Sequence, residues 1–166
     1  RQQFMYNFNQ HHPKESITPH PKHTISMWGI EFRAPLSNSA GMFKNGEGYD
    51  TVAALGAGAY IGGTSTANAR TGNLKNGIAL PFISLYNSKS AINFLGLPNL
   101  GDQVLSQINI TTNKIKGCPI GWSVMRSPDY AENEGLAKLI ESLWLYHNHP
   151  QIDFIEINES CPNIKK

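Results

Sequence analysis

The residues with the clearest chemical potential lie near the carboxyl end of the chain, where a cysteine stands between two asparagines. Cys161 follows the apolar run 152–157 and lies between Asn158 and Asn163. A thiolate can act as a base or a nucleophile, and neutral amides both donate and accept hydrogen bonds. This combination suits a flat ring rich in amide groups better than a phosphate or a metal. The alternative is a buried structural cysteine beside turn-forming asparagines, since cysteine is among the most frequently buried residue types.

The sequence places this cysteine at the tip of a strand. Pro162 favours an extended backbone at the residue before it, so we expect strand order to continue to Cys161 and then to break. Chemistry at the carboxyl ends of buried strands is typical of α/β barrels.

Predicted strands and helices alternate along the rest of the chain. The strands are 24–32 (an entry strand or a hairpin), 35–39, 59–63, 119–124 and 152–158, and the helices are 47–55, 101–108 and 134–146. The segment 64–99 is polar with weak periodicity, which predicts a long functional or disordered loop. This alternation favours a parallel sheet covered by helices.

Apolar spacing predicts which face each helix buries. In 134–146 the residues that repeat with helical spacing are Leu136, Leu139, Ile140, Leu143 and Trp144. In 101–108 the residues that share a face are Val104, Leu105 and Ile108. Gly56 is expected at the C′ position after the helix 47–55.

Two parallel-sheet architectures compete for this pattern. The glycines from Gly56 to Gly62 resemble a dinucleotide-binding fingerprint, but that motif needs a strand before it and a helix after it. Here the predicted helix comes first, so the dinucleotide-binding interpretation fails and the glycines indicate a helix stop and a tight turn. A barrel predicts functional residues after each strand, and the chain has them: Ala40, Gly41 and Lys44, then Gly63 and Thr64, then Ser123 and Arg126, and last Asn158 and Cys161.

Composition argues against several classes of function. Charged residues make up 16% of the 166 residues and the net charge is +2 without a basic cluster, so nucleic-acid binding is not expected. Two cysteines, Cys118 and Cys161, are too few for a disulfide scaffold and indicate a reducing compartment, hence a cytoplasmic protein. No apolar run approaches the roughly 18 residues of a membrane span, and membrane association, though not excluded, is not expected.

The amino-terminal segment 1–23 reads as a polar leader. It contains four of the six histidines: His11, His12, His20 and His23. No cluster of cysteines or carboxylates joins them, so we expect a solvated segment and no metal. The chain begins without Met and stops soon after its most informative motif, so both ends look cut.

Four segments occur in an order that is characteristic of one enzyme family. They are 38–47 (NSAGMFKNGE), 62–66 (GGTST) with 71–73 (TGN), 91–99 (AINFLGLPN) and 157–163 (INESCPN). Together they resemble the dihydroorotate dehydrogenases, which are FMN-dependent (β/α)8 barrels, and the resemblance covers residues 24–166. A barrel needs about 250 residues, so the resemblance implies that the chain supplies about the first half of an α/β barrel.

The resemblance implies the chemistry of the site. Cys161 would be the base that removes the C5 proton of dihydroorotate while hydride passes to FMN, as a step of pyrimidine biosynthesis. Lys44 would lie near flavin and substrate and would favour a thiolate at Cys161. The other implied flavin contacts are Ala40, Gly41, Gly63, Thr64, Ser123 and Asn158. The other implied substrate contacts are Asn93, Phe94, Leu95, Gly96, Leu97, Asn158 and Asn163, with Asn99 as a further candidate.

Features of two classes within the family are mixed in this chain. Cys161 and the run 95–99 resemble the soluble class, whereas the segment 44–47 resembles the membrane-associated class, whose base is a serine. The electron acceptor stays open among fumarate, a quinone and NAD reached through an iron–sulfur partner.

Other functions also stay open at this point. One is another FMN barrel that acts on a reduced pyrimidine, as in dihydropyrimidine dehydrogenase. The others are a non-catalytic half-barrel and a ligand-binding barrel without activity. A half-barrel leaves two sheet edges unpaired, which invites association, so a homodimer is an alternative to a monomer.

Overall fold

A computed structural model describes residues 15–79 and 81–164, and its contacts divide this part of the chain into two units. Among the described residues, the first unit comprises 15–38, 48–60 and 111–119, and the second comprises 39–47, 61–79, 81–110 and 120–164. His11, His12 and most of the predicted leader lie outside the described residues.

The described residues form a mixed α/β structure. In chain order its elements are β1 (Ile25–Met27), β2 (Ile30–Phe32), α1 (Tyr49–Ala54), β3 (Tyr60–Ser65), β4 (Leu74–Lys75), β5 (Ile78–Ala79), β6 (Phe82–Leu85), β7 (Ser90–Asn93), α2 (Asp102–Leu105), β8 (Ile120–Val124), α3 (Glu132–His147) and β9 (Phe154–Ile157), with a 3-10 turn at Pro21–His23. Within these ranges, no helix has the length and apolar character that a bilayer span requires.

In the first unit, Arg33 joins a hairpin to the end of a helix. β1 and β2 pair antiparallel, so the predicted entry segment is a hairpin. Nε of Arg33 donates to the carbonyl of Ala57 at 2.8 Å, and its guanidinium also bonds to the carbonyl of Ala53 in α1.

Gly56 follows α1 with a φ of 86°, as predicted for a C′ residue. The predicted strand 35–39 is reduced to a single parallel bridge.

A three-stranded sheet with the order β3–β8–β9 organises the second unit. β8 and β9 run parallel, and this register sets Ser123 opposite Glu156. Every residue of β8 is buried, which confirms the predicted strand 119–124. α3 connects β8 to β9 and packs on both strands, as a parallel pair requires.

The face that α3 buries differs from the predicted face. Leu136, Ile140 and Trp144 are 47%, 56% and 62% exposed, so the prediction is wrong for these residues. Its buried residues are instead Gly135, Leu139, Ser142 and Tyr146. Two of these four are polar, so apolar spacing alone could not select this face.

A buried hydrogen-bond network explains the orientation of α3. The ring of Tyr146 stacks on Trp122 with centroids 5.3 Å apart, and its hydroxyl donates to the carboxylate of Asp102 at 2.7 Å. Ser142 donates to the other carboxylate oxygen at 2.5 Å. Burial, and then the nearby Asp102 carboxylate, raises the pKa of Tyr146 above its ordinary value, so this hydroxyl keeps its proton. These two hydrogen bonds offset the free-energy cost of burying the Asp102 carboxylate, and they link α3 to α2.

The predicted irregular loop 64–99 is wrong, because this segment contains two antiparallel hairpins, β4–β5 and β6–β7. The first turns at Asn76 and Gly77, with φ angles of 52° and 77°. Asn-Gly is the strongest short-range signal for such a turn, and it was overlooked because the flanking strands are only two residues long.

The predicted helix 101–108 is also shorter than expected. α2 is a single turn, in which Leu105 is fully buried and Val104 is exposed. The predicted shared face therefore holds for Leu105 and fails for Val104.

Candidate active site

Four side chains form a continuous hydrogen-bonded row across the sheet of the second unit. Oγ of Ser123 on β8 donates to Oε1 of Glu156 on β9 at 2.7 Å and lies 2.8 Å from Oγ1 of Thr64 on β3. Nδ2 of Asn158, just beyond β9, donates to the same oxygen of Thr64 at 2.9 Å. The row therefore brings together Thr64, Ser123 and Asn158, three of the residues predicted to contact a cofactor.

The row occupies one face of the sheet, and α3 covers the other. Nε1 of Trp122 donates to Oγ of Ser65 at 2.9 Å, and the Tyr146 hydroxyl lies 3.0 Å from that same oxygen. Thr64 and Ser123 are the strand neighbours of Ser65 and Trp122, and successive side chains of a strand point to opposite faces. Buried hydrogen bonds on the α3 side therefore hold the strands that carry the row.

Several of the predicted residues lie inside strands and not after them. β3 continues to Ser65, so Gly63 and Thr64, which were predicted to follow this strand, lie inside it. Ser123 lies inside β8, within the predicted strand 119–124. Beyond β8, Arg126 packs against α3 at Gly135.

Cys161 is four residues beyond the end of β9. Strand order stops at Ile157 because Oδ1 of Asn158 accepts a hydrogen bond from the backbone N–H of Ser160 at 3.0 Å, which forms a local turn. The predicted continuation of the strand to Cys161 is therefore wrong. The thiol is free and half-buried.

Two glycine backbones meet beside Lys44. The N–H of Gly41 donates to the carbonyl of Gly63 at 2.6 Å, and the N–H of Gly63 donates to the carbonyl of Phe43 at 3.1 Å. The Lys44 side chain is buried, and its Nζ lies 3.6 Å from the point that a Cβ on Gly41 would occupy. Gly41 has a φ of 90°, and its missing side chain leaves room beside the ammonium. Ala40, predicted with this group, is half-buried.

A second polar group consists of amides. Nδ2 of Asn163 donates to Oδ1 of Asn93 at 2.8 Å, and Nδ2 of Asn73 donates to the backbone carbonyl of Asn163 at 2.7 Å. Gly96 packs so closely on Asn73 that a Cβ at Gly96 would lie 2.3 Å from that side chain. The structure therefore joins Asn93, Gly96 and Asn163, and it adds Asn73 to them.

Three backbone carbonyls of the predicted substrate loop 94–97 accept hydrogen bonds from the protein. Those of Leu95, Gly96 and Leu97 accept, in that order, from the N–H of Asn73 at 2.9 Å, Nε of Arg70 at 3.3 Å and Nδ2 of Asn99 at 2.8 Å. Asn99 is itself buried, and its Oδ1 accepts from the N–H of Gly101 at 2.8 Å. Asn99 thus shapes the loop through both ends of its amide.

A cavity of about 430 Å³ adjoins the amide group. Its lining is Arg70, Asn73, Leu74, Phe94, Pro128, Asp129, Pro162, Asn163 and Ile164. Phe94 and Asn163 were predicted as substrate contacts, whereas Lys44 and Cys161 do not line this cavity. Arg70 and Asp129 form an ion pair in its wall.

Comparison with known proteins places the chain in a family. Residues 23–166 match the family model described as "Dihydroorotate dehydrogenase". The chain belongs to the dihydroorotate dehydrogenase family. This membership confirms the resemblance read from the four motifs.

The curated relatives are longer than the chain. "Dihydroorotate dehydrogenase (quinone)" of Coxiella burnetii (strain Dugway 5J108-111) is 31% identical over 147 residues, which cover 86% of this chain and 39% of the relative. The protein of the same name from Proteus mirabilis (strain HI4320) is 29% identical over 143 residues, with coverages of 86% and 40%. The chain thus spans about two fifths of the length of these relatives.

A solved structure supports the family fold. A chain of the structure titled "Crystal structure of DHODH in complex with ferulenol from Eimeria tenella" superposes with a TM-score of 0.74 at 19% identity. The match covers 98% of this chain and 43% of that chain. At this identity the likeness shows the fold alone.

Glu156 and Asn73 are the site residues that the sequence analysis missed. Asn73 is the last residue of the family segment 71–73, so that motif could have indicated a role for Asn73 in the site. Glu156 is a carboxylate between Ile155 and Ile157 in an otherwise apolar strand, and such a residue is expected to have a partner. That partner, Ser123, becomes visible only once the register of β8 and β9 is known.

Proposed function

We propose that the protein to which this chain belongs oxidises dihydroorotate to orotate with FMN, a step of pyrimidine biosynthesis. The family match over residues 23–166 carries this proposal. The chain covers about two fifths of its relatives, so substrate, cofactor and activity are inferred from the family and from the chemistry of the site.

The residues around Lys44 fit a flavin. A flavin ring needs a flat space bordered by backbone, with polar hydrogens directed at its carbonyl groups. The Gly41–Gly63 backbone contact leaves such a border without side chains next to the buried ammonium. We therefore assign to the flavin the predicted set Ala40, Gly41, Lys44, Gly63, Thr64, Ser123 and Asn158.

The amide group fits the edge of a pyrimidine. That edge alternates C=O and N–H groups, and a carboxamide can answer both. Asn163 is hydrogen-bonded to both Asn93 and Asn73. Asn73 and Asn163 line a cavity of about 430 Å³, which has room for a single ring. The backbone from Phe94 to Leu97 and Asn158 complete the substrate contacts that we propose.

In the proposed mechanism, Cys161 acts as the base. Its thiolate takes the proton from C5 of dihydroorotate, and the double bond between C5 and C6 forms as hydride leaves C6. FMN, when bound, supplies the acceptor for that hydride. The Lys44 ammonium pairs with the substrate carboxylate.

We propose a quinone as the electron acceptor. The relatives from Coxiella burnetii and Proteus mirabilis are both named for a quinone, and this favours it over fumarate or NAD. The cysteine at position 161 resembles the soluble class instead, so this chain would pair a thiol base with quinone reduction.

Replacing Cys161 with alanine tests the proposed base. The FMN-loaded chain is mixed anaerobically with dihydroorotate, and the decay of the flavin absorption band is followed. Because general-base catalysis contributes about 10²–10⁴-fold, we expect Cys161→Ala to slow the decay by about 10³-fold at unchanged FMN affinity. Cys118→Ala, which alters the buried cysteine of the first unit, is the control and should keep the rate. Equal rates in Cys161→Ala and the unmodified chain would show that another group is the base.

A further inference from the structure

One end of the hydrogen-bonded row is the carboxylate of Glu156. This carboxylate determines which group donates and which accepts in each hydrogen bond of the row. An ionised carboxylate only accepts hydrogen bonds. Ser123 must therefore donate its single hydroxyl proton to Glu156 across their 2.7 Å contact. Since that proton is committed, Ser123 can only accept in its 2.8 Å contact with Thr64, and Thr64 is the donor there.

The orientation of Asn158, at the other end of the row, follows both from Thr64 and, independently, from Ser160. The Thr64 proton points to Ser123, so Oγ1 of Thr64 can only accept from Nδ2 of Asn158 at 2.9 Å. The backbone N–H of Ser160 is always a donor, and it lies 3.0 Å from Oδ1 of Asn158. Both neighbours of the carboxamide thus require the same orientation, with its nitrogen towards Thr64 and its oxygen towards Ser160.

One N–H of Asn158 remains for a ligand. Asn158 is partly exposed, whereas Thr64 and Ser123 are buried, so the carboxamide is the part of the row that a ligand can reach. Its second N–H meets no acceptor among residues 15–79 and 81–164. We propose that Glu156 is a positioning residue that acts through Ser123 and Thr64 to hold Asn158 as a hydrogen-bond donor to a carbonyl or carboxylate oxygen.

The identity of that ligand, FMN or orotate, rests on the proposed function, but the orientation of Asn158 does not. Both molecules carry carbonyl oxygens, and the shared chemistry is an acceptor facing Asn158. A ligand that offers only N–H donors would leave the free N–H of Asn158 without a partner.

The first experiment needs no ligand. In the 15N-labelled chain, the side-chain amide signal of Asn158, identified by its loss in Asn158→Ala, should contain one proton protected from solvent exchange and one unprotected. Glu156→Leu should lower that protection about tenfold, which corresponds to the net free energy of one hydrogen bond. Glu156→Gln retains an oxygen acceptor and should retain the protection. Glu141→Leu removes a carboxylate bonded to Lys138 on α3, and as the control it should leave the signal unchanged.

The second experiment measures orotate affinity in the FMN-loaded chain from the flavin absorption. We expect Glu156→Leu to weaken binding about tenfold and Glu156→Gln to change it by less than about twofold. When Asn158 is already replaced by alanine, Glu156→Leu should not weaken orotate binding any further, because Glu156 acts on the ligand through Asn158. A purely structural role of Glu156 would give additive losses.

The outcomes of these experiments distinguish the positioning role of Glu156 from the proposed function. Unchanged protection of the Asn158 amide in Glu156→Leu, or additive losses of orotate affinity, would overturn the positioning role. If the chain binds neither FMN nor orotate while the protection depends on Glu156, the proposed function fails for this chain and the positioning of Asn158 stands.

Discussion

At the scale of single residues, the hydroxyl groups of two buried tyrosines bond to partners of different charge. Tyr146 donates to the Asp102 carboxylate at 2.7 Å, whereas Tyr49 donates to the carbonyl of Cys118 and accepts from the N–H of Ile115, both at 2.9 Å. A hydrogen bond to a charged group contributes about 1.5–3 kcal/mol and one between neutral groups about 0.5–1.5 kcal/mol.

We therefore expect the two tyrosine variants to differ in stability. Tyr146→Phe, which loses the bond to Asp102 and the contact with Ser65, should lower the free energy of unfolding by about 2–4.5 kcal/mol. Tyr49→Phe, which loses two neutral hydrogen bonds, should lower it by about 1–3 kcal/mol. Urea unfolding followed by circular dichroism measures both. A loss in Tyr49→Phe that equals or exceeds the loss in Tyr146→Phe would contradict the role given to the Asp102 carboxylate.

Residue types alone indicated part of this site. Cys161, Asn158 and Asn163 stand out because a thiol flanked by amides is unusual after an apolar strand. Glu156 and Ser123 could not be paired in advance, because they are 33 residues apart and only the parallel register sets them opposite each other.

At the scale of elements, the loop after β7 depends on a glycine with no room for a side chain. A Cβ at Gly96 would lie 2.3 Å from Asn73, whereas a Cβ at Gly77, at the tip of β4–β5, would meet nothing within 4 Å. Both glycines have positive φ angles, 69° and 77°, so an alanine at either one carries similar backbone strain of about 1–2 kcal/mol.

Gly96→Ala and Gly77→Ala therefore form a matched pair. We expect Gly96→Ala to lose more stability, because its Cβ must displace Asn73 in addition to the shared backbone strain. Since Asn73 donates to Asn163, only Gly96→Ala should weaken orotate binding, by about tenfold. Titration of the FMN-loaded chain with orotate measures the affinity. Equal weakening in both variants would show that Gly96 acts through backbone strain and not through Asn73.

Sequence patterns predicted elements well where burial is apolar and poorly where it is polar. β8 is buried throughout and was predicted within one residue of its ends. α3 was predicted as a helix, but its buried face contains Ser142 and Tyr146, whose partner Asp102 lies on another element. The hairpins β4–β5 and β6–β7 were missed, since strands of two to four residues give too few positions for alternation to appear.

At the scale of the whole molecule, the order of strands and helices together with four motifs predicted the family. The family match over residues 23–166 and the TM-score of 0.74 agree with that prediction. The chain spans about two fifths of the length of its curated relatives, so the prediction that it supplies about half of a barrel stays a prediction. The exposed apolar residues Leu136, Ile140 and Trp144 on α3 would also be hard to foresee, since their spacing is that of a buried face.

The measurement that tests the central claim most directly is an anaerobic visible spectrum of the FMN-loaded chain, before and after dihydroorotate is added. If the chain binds FMN and oxidises dihydroorotate, the flavin absorption band bleaches, and orotate appears in an amount equal to the flavin reduced. A flavin band that persists after the addition, or a chain that binds no FMN, would contradict the proposed function for these 166 residues.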